Sequence, residues 1–264
     1  MNALVQQLIV VTAGLALCAS AAFAQNVVIK GSTTVLPIAQ VTLEAYMKAN
    51  PAAKISLSGG GSGEGIKALI DGITDIANSS REIKQKEAEL AKSKGVTPVE
   101  HEVAIDAIVP IVNPRNNVNN LTLAQLSQIY QGKITTWKEV GGENLEIVVV
   151  SRDSSSGTFE AWGELVLKGA KVSPRAQLQA SSGAVVQAVA KNRYAIGYIG
   201  LGYLDKSVKD LTVNGVKGTV KTALSKEYPV SRFLYMYTNG EPKGETAKYL
   251  KFVLSPAGQD LVKK

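Results

Sequence analysis

Short apolar segments alternate with helix-like segments along this chain. Apolar runs of strand length lie at residues 26–30, 55–57, 75–78, 147–150, 195–199 and 228–237. A longer run over residues 99–112 is apolar from residue 103 onward except for Asp106, and it predicts a long strand that crosses between two lobes.

Apolar residues spaced three or four apart predict helices between these strands. In the first helix Val35, Ala39 and Leu43 share one face, and Asn50-Pro51 ends it. The other helices are predicted at about 64–70, 82–94, 123–130, 159–168, 184–190 and 246–254, with a short helix after residue 258. Alternation of strands and helices is typical of the α/β class.

The first 24 residues differ from the rest of the chain. They carry no charged side chain, are apolar from Leu8 to Leu17, and end in a small-residue cleavage pattern. We predict a signal peptide over residues 1–24, removed at maturity, and therefore an exported protein. A retained membrane anchor is a weaker alternative, because the apolar run is short for a membrane span. Acylation of Cys18 in a lipoprotein is another, although Leu17 stands where a lipobox normally has a small residue.

The overall composition suits an α/β protein, with 45% hydrophobic and 6% aromatic residues. The net charge of +7 is interpreted as scattered surface lysine, since the lysines at 84–94 are interspersed with glutamates on a predicted solvated helix. The chain shows no basic clusters with interleaved aromatics, so we expect no nucleic-acid partner. A positive field would help to attract a small anion. Cys18 is the only cysteine, so the mature chain would have neither a disulfide nor a thiol nucleophile.

Four turns share one chemical character: residues 31–34, 61–65, 79–81 and 152–158 all carry small residues with hydroxyl groups. Each turn follows a predicted strand and precedes a helix, whose first amides lack partners and carry partial positive charge. Arg81 and Arg152 add permanent charge and planar donors suited to an oxyanion. Because such turns gather at the carboxyl ends of strands, the sequence predicts one anion site built from several turns.

Each turn taken alone has a simpler explanation. Serine and threonine are ordinary helix N-caps, and the glycine run at 59–65 could be a flexible loop. That run lacks the Gly-Lys-Ser/Thr ending of a P-loop and a strict Gly-x-Gly-x-x-Gly, so nucleotide binding is a weak alternative. Four such turns in one chain favour the shared site.

The order of motifs also resembles a known family. Gly-Ser-Thr-Thr, Gly-Ser-Gly-Glu-Gly-Ile-Lys, Asp-Ile-Ala-Asn-Ser-Ser-Arg, Ile-Asp-Ala-Ile-Val-Pro, Arg-x-x-x-Ser-Gly-Thr and Ala-Ile-Gly-Tyr-Ile together resemble the periplasmic phosphate-binding proteins of bacterial ABC transporters, over nearly the whole mature chain. The resemblance implies a type II periplasmic-binding-protein fold, with a mixed, mostly parallel sheet and flanking helices in each lobe. The first lobe would comprise residues 26–108 and 228–264, and the second residues 109–227.

The same resemblance implies a function and a site. The protein would bind inorganic phosphate in the interlobe cleft and deliver it to the permease subunits of an ABC importer, as a monomer without cofactor or metal. The expected phosphate-binding residues are Ser32, Thr33, Thr34, Ser62, Ser80, Arg81, Asp106, Arg152, Ser156, Gly157 and Thr158. A different tetrahedral oxyanion remains an alternative ligand.

The third turn departs from the family pattern. The best-known members have an aspartate there, which accepts the proton of hydrogen phosphate, whereas this chain has Ser80. A buried carboxylate would repel sulfate, which lacks that proton at neutral pH. Asp106 is the nearest candidate in the sequence, and a structural ion pair is its alternative role.

Catalysis is not expected. His101 is the only histidine, the mature chain offers no cluster of metal ligands, and the serine-rich turn lacks the Gly-x-Ser-x-Gly elbow of a hydrolase. An exported phosphatase or phosphate-binding adhesin on the same fold stays open as an alternative function.

Overall fold

The computed structural model describes residues 26–263, so the predicted signal peptide over 1–24 and Cys18 lie outside it. Within this range the strands are β1 Asn26–Gly31, β2 Lys54–Gly59, β3 Ile76–Ser79, β4 Pro98–Val112, β5 Asn120–Leu121, β6 Val148–Arg152, β7 Gln177–Gln179, β8 Ala195–Gly200, β9 Lys209–Asp210, β10 Thr212–Val213 and β11 Ser231–Asn239. The helices are α1 Leu36–Ala49, α2 Ser62–Ile70, α3 Gln85–Ser93, α4 Leu123–Tyr130, α5 Gly157–Leu165, α6 Ser182–Lys191, α7 Val220–Leu224, α8 Gly244–Leu254 and α9 Pro256–Val262.

Every strand and helix predicted in this range forms, and α4 has the predicted bounds. Helix α2 begins two residues earlier than predicted, so Ser62 lies in its first turn. The sequence pattern does not predict β5, β7, β9, β10 or α7, because segments of two to five residues show too little periodicity.

Two groups of strands share the long strand β4. Strands β1, β2 and β3 are parallel, and β11 joins them antiparallel and also pairs with β4. Strands β6, β7 and β8 are parallel, and β8 pairs antiparallel with the far part of β4. We call the first group with its helices the first lobe and the second group the second lobe. Strand β4 changes partner from β11 to β8 between Ala107 and Ile108.

Each lobe has its own apolar core. Val27, Ile29 and Leu43 are buried between the first sheet and its helices. In the second lobe the Trp162 ring stacks on Tyr198, with ring centroids 4.4 Å apart and an interplanar angle of 7°. These cores fix the strands on which the predicted turns are built, and parallel strands bring their carboxyl ends to one edge of each sheet.

Candidate anion-binding site

The predicted turns lie where strands end and helices begin. Helices α1 and α2 follow β1 and β2 in the first lobe, and α5 and α6 follow β6 and β7 in the second. The structure buries ten predicted site residues, and the side chain of the remaining one, Arg81, is 8% exposed. The ten are Ser32, Thr33, Thr34, Ser62, Ser80, Asp106, Arg152, Ser156, Gly157 and Thr158. Buried polar side chains require hydrogen-bond partners, and here several partners come from the opposite lobe.

Two pairs of hydroxyl groups join the lobes. The Oγ1 atoms of Thr34 and Thr158 are 2.7 Å apart, and Thr33 Oγ1 lies 3.4 Å from Ser182 Oγ. The backbone amide of Ser182 also donates to Thr33 Oγ1 over 3.3 Å. The N-termini of α5 and α6 therefore meet the first turn of the opposite lobe directly.

Gly157 allows a second close approach between the lobes. A Cβ atom at this position would lie against Ser62 Oγ and 2.7 Å from Ser80 Oγ, both in the first lobe. Ser62 Oγ in turn accepts from the amide of Ser80 over 3.0 Å. Only a residue without a side chain fits here, so the glycine of the fourth turn is a packing requirement of the closed cleft.

Arg152 is the buried cation of this group, with 1% of its surface exposed. Its Nε and Nη2 donate to the carbonyl oxygens of Gln179 and Ala180 over 3.0 and 3.1 Å, and Nη1 donates to Ser182 Oγ over 3.2 Å. Burial lowers the pKa of Arg152, but a guanidinium stays protonated at neutral pH. No ion pair formed within residues 26–263 includes Arg152, so it is a buried cation without a carboxylate partner there.

The N-terminus of α5 supplies amide and hydroxyl donors. Ser156 caps this helix, and its Oγ accepts from the amide of Phe159 over 3.2 Å. The hydroxyl hydrogen of Ser156 is not used in that bond, and the amides of Gly157 and Thr158 lie in the first turn, where they have no partner within the helix. These donors and the helix dipole favour a negative charge at the start of α5.

Asp106 lies in β4 and pairs with an arginine that the sequence analysis did not single out. Its Oδ2 accepts from Nε and Nη2 of Arg232 over 3.2 and 3.0 Å, and its Oδ1 accepts from the amide of Leu201 over 2.9 Å. Burial raises the pKa of Asp106 and lowers the pKa of Arg232, and the attraction between the two opposes both shifts. Arg232 is therefore the partner that the alternative role of Asp106, a structural ion pair, requires. Its contact with a ligand proton stays a prediction.

Arg81 forms its ion pairs with two carboxylates that lie outside this group. Its Nη1 and Nη2 each donate to Glu87 over 2.7 Å, and its Nε lies 2.8 Å from Oε2 of Glu160 in α5. Lys84 Nζ lies 2.8 Å from the same Glu160 oxygen. Two carboxylates thus balance the charge of Arg81, and Glu160 forms ion pairs between the lobes.

Sequence reasoning missed Ser182 and Arg232. Ser182 belongs to a turn with the same signal as the other four, since residues 181–183 are Ser-Ser-Gly between a strand and a helix. Arg232 is the one charged residue of strand β11, where a charge needs a partner if it is buried. That partner, Asp106, lies 126 residues away in the sequence.

Other polar features lie outside this group. The only histidine, His101, places its Nε2 atom 3.0 Å from Thr238 Oγ1. Across residues 26–263 no three histidine, cysteine or acidic side chains gather as metal ligands. Over the same residues no helix has the length and apolar character needed to cross a membrane.

The two lobes enclose helix N-termini, hydroxyl groups and a buried arginine. This arrangement is typical of a ligand-binding protein. The PBP superfamily domain matches residues 19–257. The phosphate-binding protein PstS of Borreliella burgdorferi is 34% identical over 248 residues, which cover 89% of this chain and 87% of the relative. PstS of Bacillus subtilis is 34% identical over 231 residues, 87% of this chain and 75% of the relative. The chain therefore belongs to the PBP superfamily and, within it, to the family of PstS phosphate-binding proteins.

A solved structure supports the same family membership. A Clostridium perfringens substrate-binding protein, ascribed to a phosphate ABC transporter and crystallised with bound phosphate, is 39% identical in sequence. It superposes with a TM-score of 0.84, over 90% of this chain and 96% of that chain. The predicted family and the predicted two-lobed α/β fold are confirmed.

Proposed function

We propose that this protein binds inorganic phosphate between its lobes and delivers it to the permease subunits of an ABC importer. One observation carries the proposal: Arg152 is buried without a carboxylate partner among the described residues, and it donates to Ser182 Oγ at the N-terminus of α6. A buried charge is costly unless it is paired, so the site favours an anionic ligand. The names of the PstS relatives and the phosphate in the Clostridium structure support phosphate as that anion.

The balance of buried charge supports an anion as well. Arg152 and Arg232 contribute two positive charges and Asp106 one negative charge, whereas Arg81 is balanced by its own carboxylates. A monoanion would neutralise the remaining charge, and a dianion would exceed it by one. The carboxylate of Asp106 would repel sulfate, which has no proton to donate. Hydrogen phosphate could offset this repulsion by donating its proton to Asp106.

The residues proposed to bind the anion act as hydrogen-bond donors. Arg152 would bind the anion through the two N–H groups that it does not use on its protein partners, since a guanidinium has five. Hydroxyl and amide donors would come from the four turns: Ser32, Thr33, Thr34, Ser62, Ser80, Ser156, Gly157 and Thr158. This proposal gives Arg81 an ion-pairing role in place of the predicted contact with the anion.

The lobe boundaries, export and partners are part of the same proposal. The first lobe would comprise residues 26–108 and 228–264 and the second 109–227, which the change of strand partners after Ala107 supports. The chain would act in the periplasm as a monomer without an enzymatic activity. Family membership supports the periplasmic location and the permease partner.

Titration calorimetry on the mature chain tests the proposal, with phosphate first and then arsenate, sulfate and molybdate in competition. We expect saturable 1:1 binding of phosphate, and at least about 100-fold weaker binding of sulfate, because hydrogen-bonding sites reject analogues that lack a bonding group. Binding of sulfate or molybdate but not of phosphate would refute the phosphate assignment. Hydrolysis of a chromogenic phosphate ester that is lost on Ser156→Ala would favour the phosphatase, and retention on cell-wall material would favour the adhesin.

A further inference from the structure

Arg232 is an arginine with a largely buried side chain in strand β11, between Ser231 and Phe233. Its side chain is 8% exposed, and four hydrogen bonds use Nε, Nη1 and Nη2. Two of these bonds go to Asp106, one goes to the carbonyl oxygen of Ser80 over 2.9 Å, and one goes to Thr158 Oγ1 over 2.9 Å. Arg232 therefore connects the third turn of the first lobe to the N-terminus of α5 in the second.

The bond to Thr158 fixes one acceptor role in a pair of hydroxyl groups. Arginine has donors and no acceptor, so the oxygen of Thr158 must accept from Arg232. The single hydroxyl hydrogen of Thr158 then stays available for Thr34 Oγ1, 2.7 Å away, or for a ligand. If Thr158 donates to Thr34, the hydrogen of Thr34 is available instead. In both cases the pair offers an O–H hydrogen to an anion.

Asp106 holds Arg232 in this orientation. Two N–H groups converge on one carboxylate oxygen, and the other oxygen is fixed by the amide of Leu201. Bonds between ionised groups are stronger than neutral ones and restrict the planar guanidinium in direction as well as position. The carboxylate thus acts on Thr158 through Arg232.

We propose that Arg232 is a positioning residue for anion binding: it polarises the Thr158–Thr34 pair so that this pair donates a hydrogen to the anion. This inference rests on the proposed function. It differs from the role of Arg152, which would touch the anion itself. Arg232 would affect affinity through a hydroxyl group.

A double-mutant cycle on phosphate affinity tests this role with Arg232→Lys, Thr158→Val and the double variant, measured by calorimetry. Lysine keeps the charge but loses the planar fork, and valine keeps the shape of threonine but removes the hydroxyl. We expect Arg232→Lys to weaken phosphate binding about ten-fold in the wild-type background and less than about three-fold when Thr158 is valine. Arg193→Lys, at an exposed arginine paired with Glu143, is the control and should change nothing.

The outcomes separate this proposal from the proposed function. If Arg232→Lys weakens phosphate binding equally in the wild-type and Thr158→Val backgrounds, the positioning role is overturned. Arg232 would then act through its charge or through the fold. If the wild-type protein does not bind phosphate, the proposed function itself fails. If Arg232→Lys does not unfold cooperatively, Arg232→Gln combined with Asp106→Asn replaces it in the cycle, since removal of both charges leaves neither one buried alone.

Discussion

Thr34 in the first lobe and Thr158 in the second share a hydrogen bond of 2.7 Å, and both are buried. This bond joins the N-terminal turns of two helices that the sequence places 124 residues apart. The residues proposed to bind the anion are therefore also those that bring the lobes together. Ligand affinity and closure should respond to the same substitutions.

Gly157→Ala should weaken phosphate binding by roughly 5- to 150-fold, the equivalent of about 1–3 kcal/mol for overpacking. The added methyl group would collide with the hydroxyl groups of Ser62 and Ser80 across the cleft, so it opposes closure without disturbing either core. Calorimetry measures the affinity. Gly163→Ala on the same helix is the control, because a Cβ atom there meets nothing within 4 Å. Equal affinities in the two variants would show that the close approach is unimportant.

Glu160→Gln should increase the rate of phosphate release. The substitution removes the charge that pairs with Arg81 and Lys84 of the opposite lobe, and a closed form with fewer ion pairs opens more readily. We expect release to be about 2- to 10-fold faster at low salt and the difference to shrink as salt screens the charges. Stopped-flow measurement of release gives both quantities. Glu164→Gln, at an exposed residue one turn further along α5, should leave the rate unchanged, and a similar acceleration in that control would contradict the interlobe role.

Asp106→Asn should reduce the preference for phosphate over sulfate. The substitution removes a negative charge that opposes a dianion and an acceptor for the proton of hydrogen phosphate. The affinity ratio should fall by roughly 10- to 100-fold, the range for a hydrogen bond to a charged group. Competition calorimetry measures this ratio, with the exposed Asp205→Asn as control. If both affinities fall by the same factor, Asp106 acts only as the partner of Arg232.

The sequence predicted the parts of the site that depend on local order. A strand, a small polar turn and a helix start are contiguous, so the turns around Thr34, Ser62 and Thr158 could be placed before their contacts were known. Their convergence followed from a general property of parallel strands. The predicted bounds of α4 were correct for a similar reason, since its apolar spacing and its Thr122 cap lie within one short segment.

The missed features depend on contacts between distant segments. Arg81 occupies a turn suited to an anion, but the sequence alone does not show that Glu160 of the opposite lobe reaches its Nε. Likewise, Asp106 could be recognised as a buried carboxylate, whereas Arg232 could not be identified as its partner. Ion pairs of this kind depend on how the two lobes are placed, which no local pattern specifies.

Phosphate titration of the wild type and Arg152→Ala in parallel is the most direct test of the central claim, that a buried cation between the lobes binds phosphate. We predict saturable binding by the wild type, unchanged affinity in the exposed control Arg175→Ala, and at least about 100-fold weaker binding in Arg152→Ala, since bonds to charged groups contribute about 1.5–3 kcal/mol each. Thermal unfolding of Arg152→Ala should stay cooperative, although two carbonyl oxygens lose a donor. Wild-type affinity in a folded Arg152→Ala variant would contradict the claim.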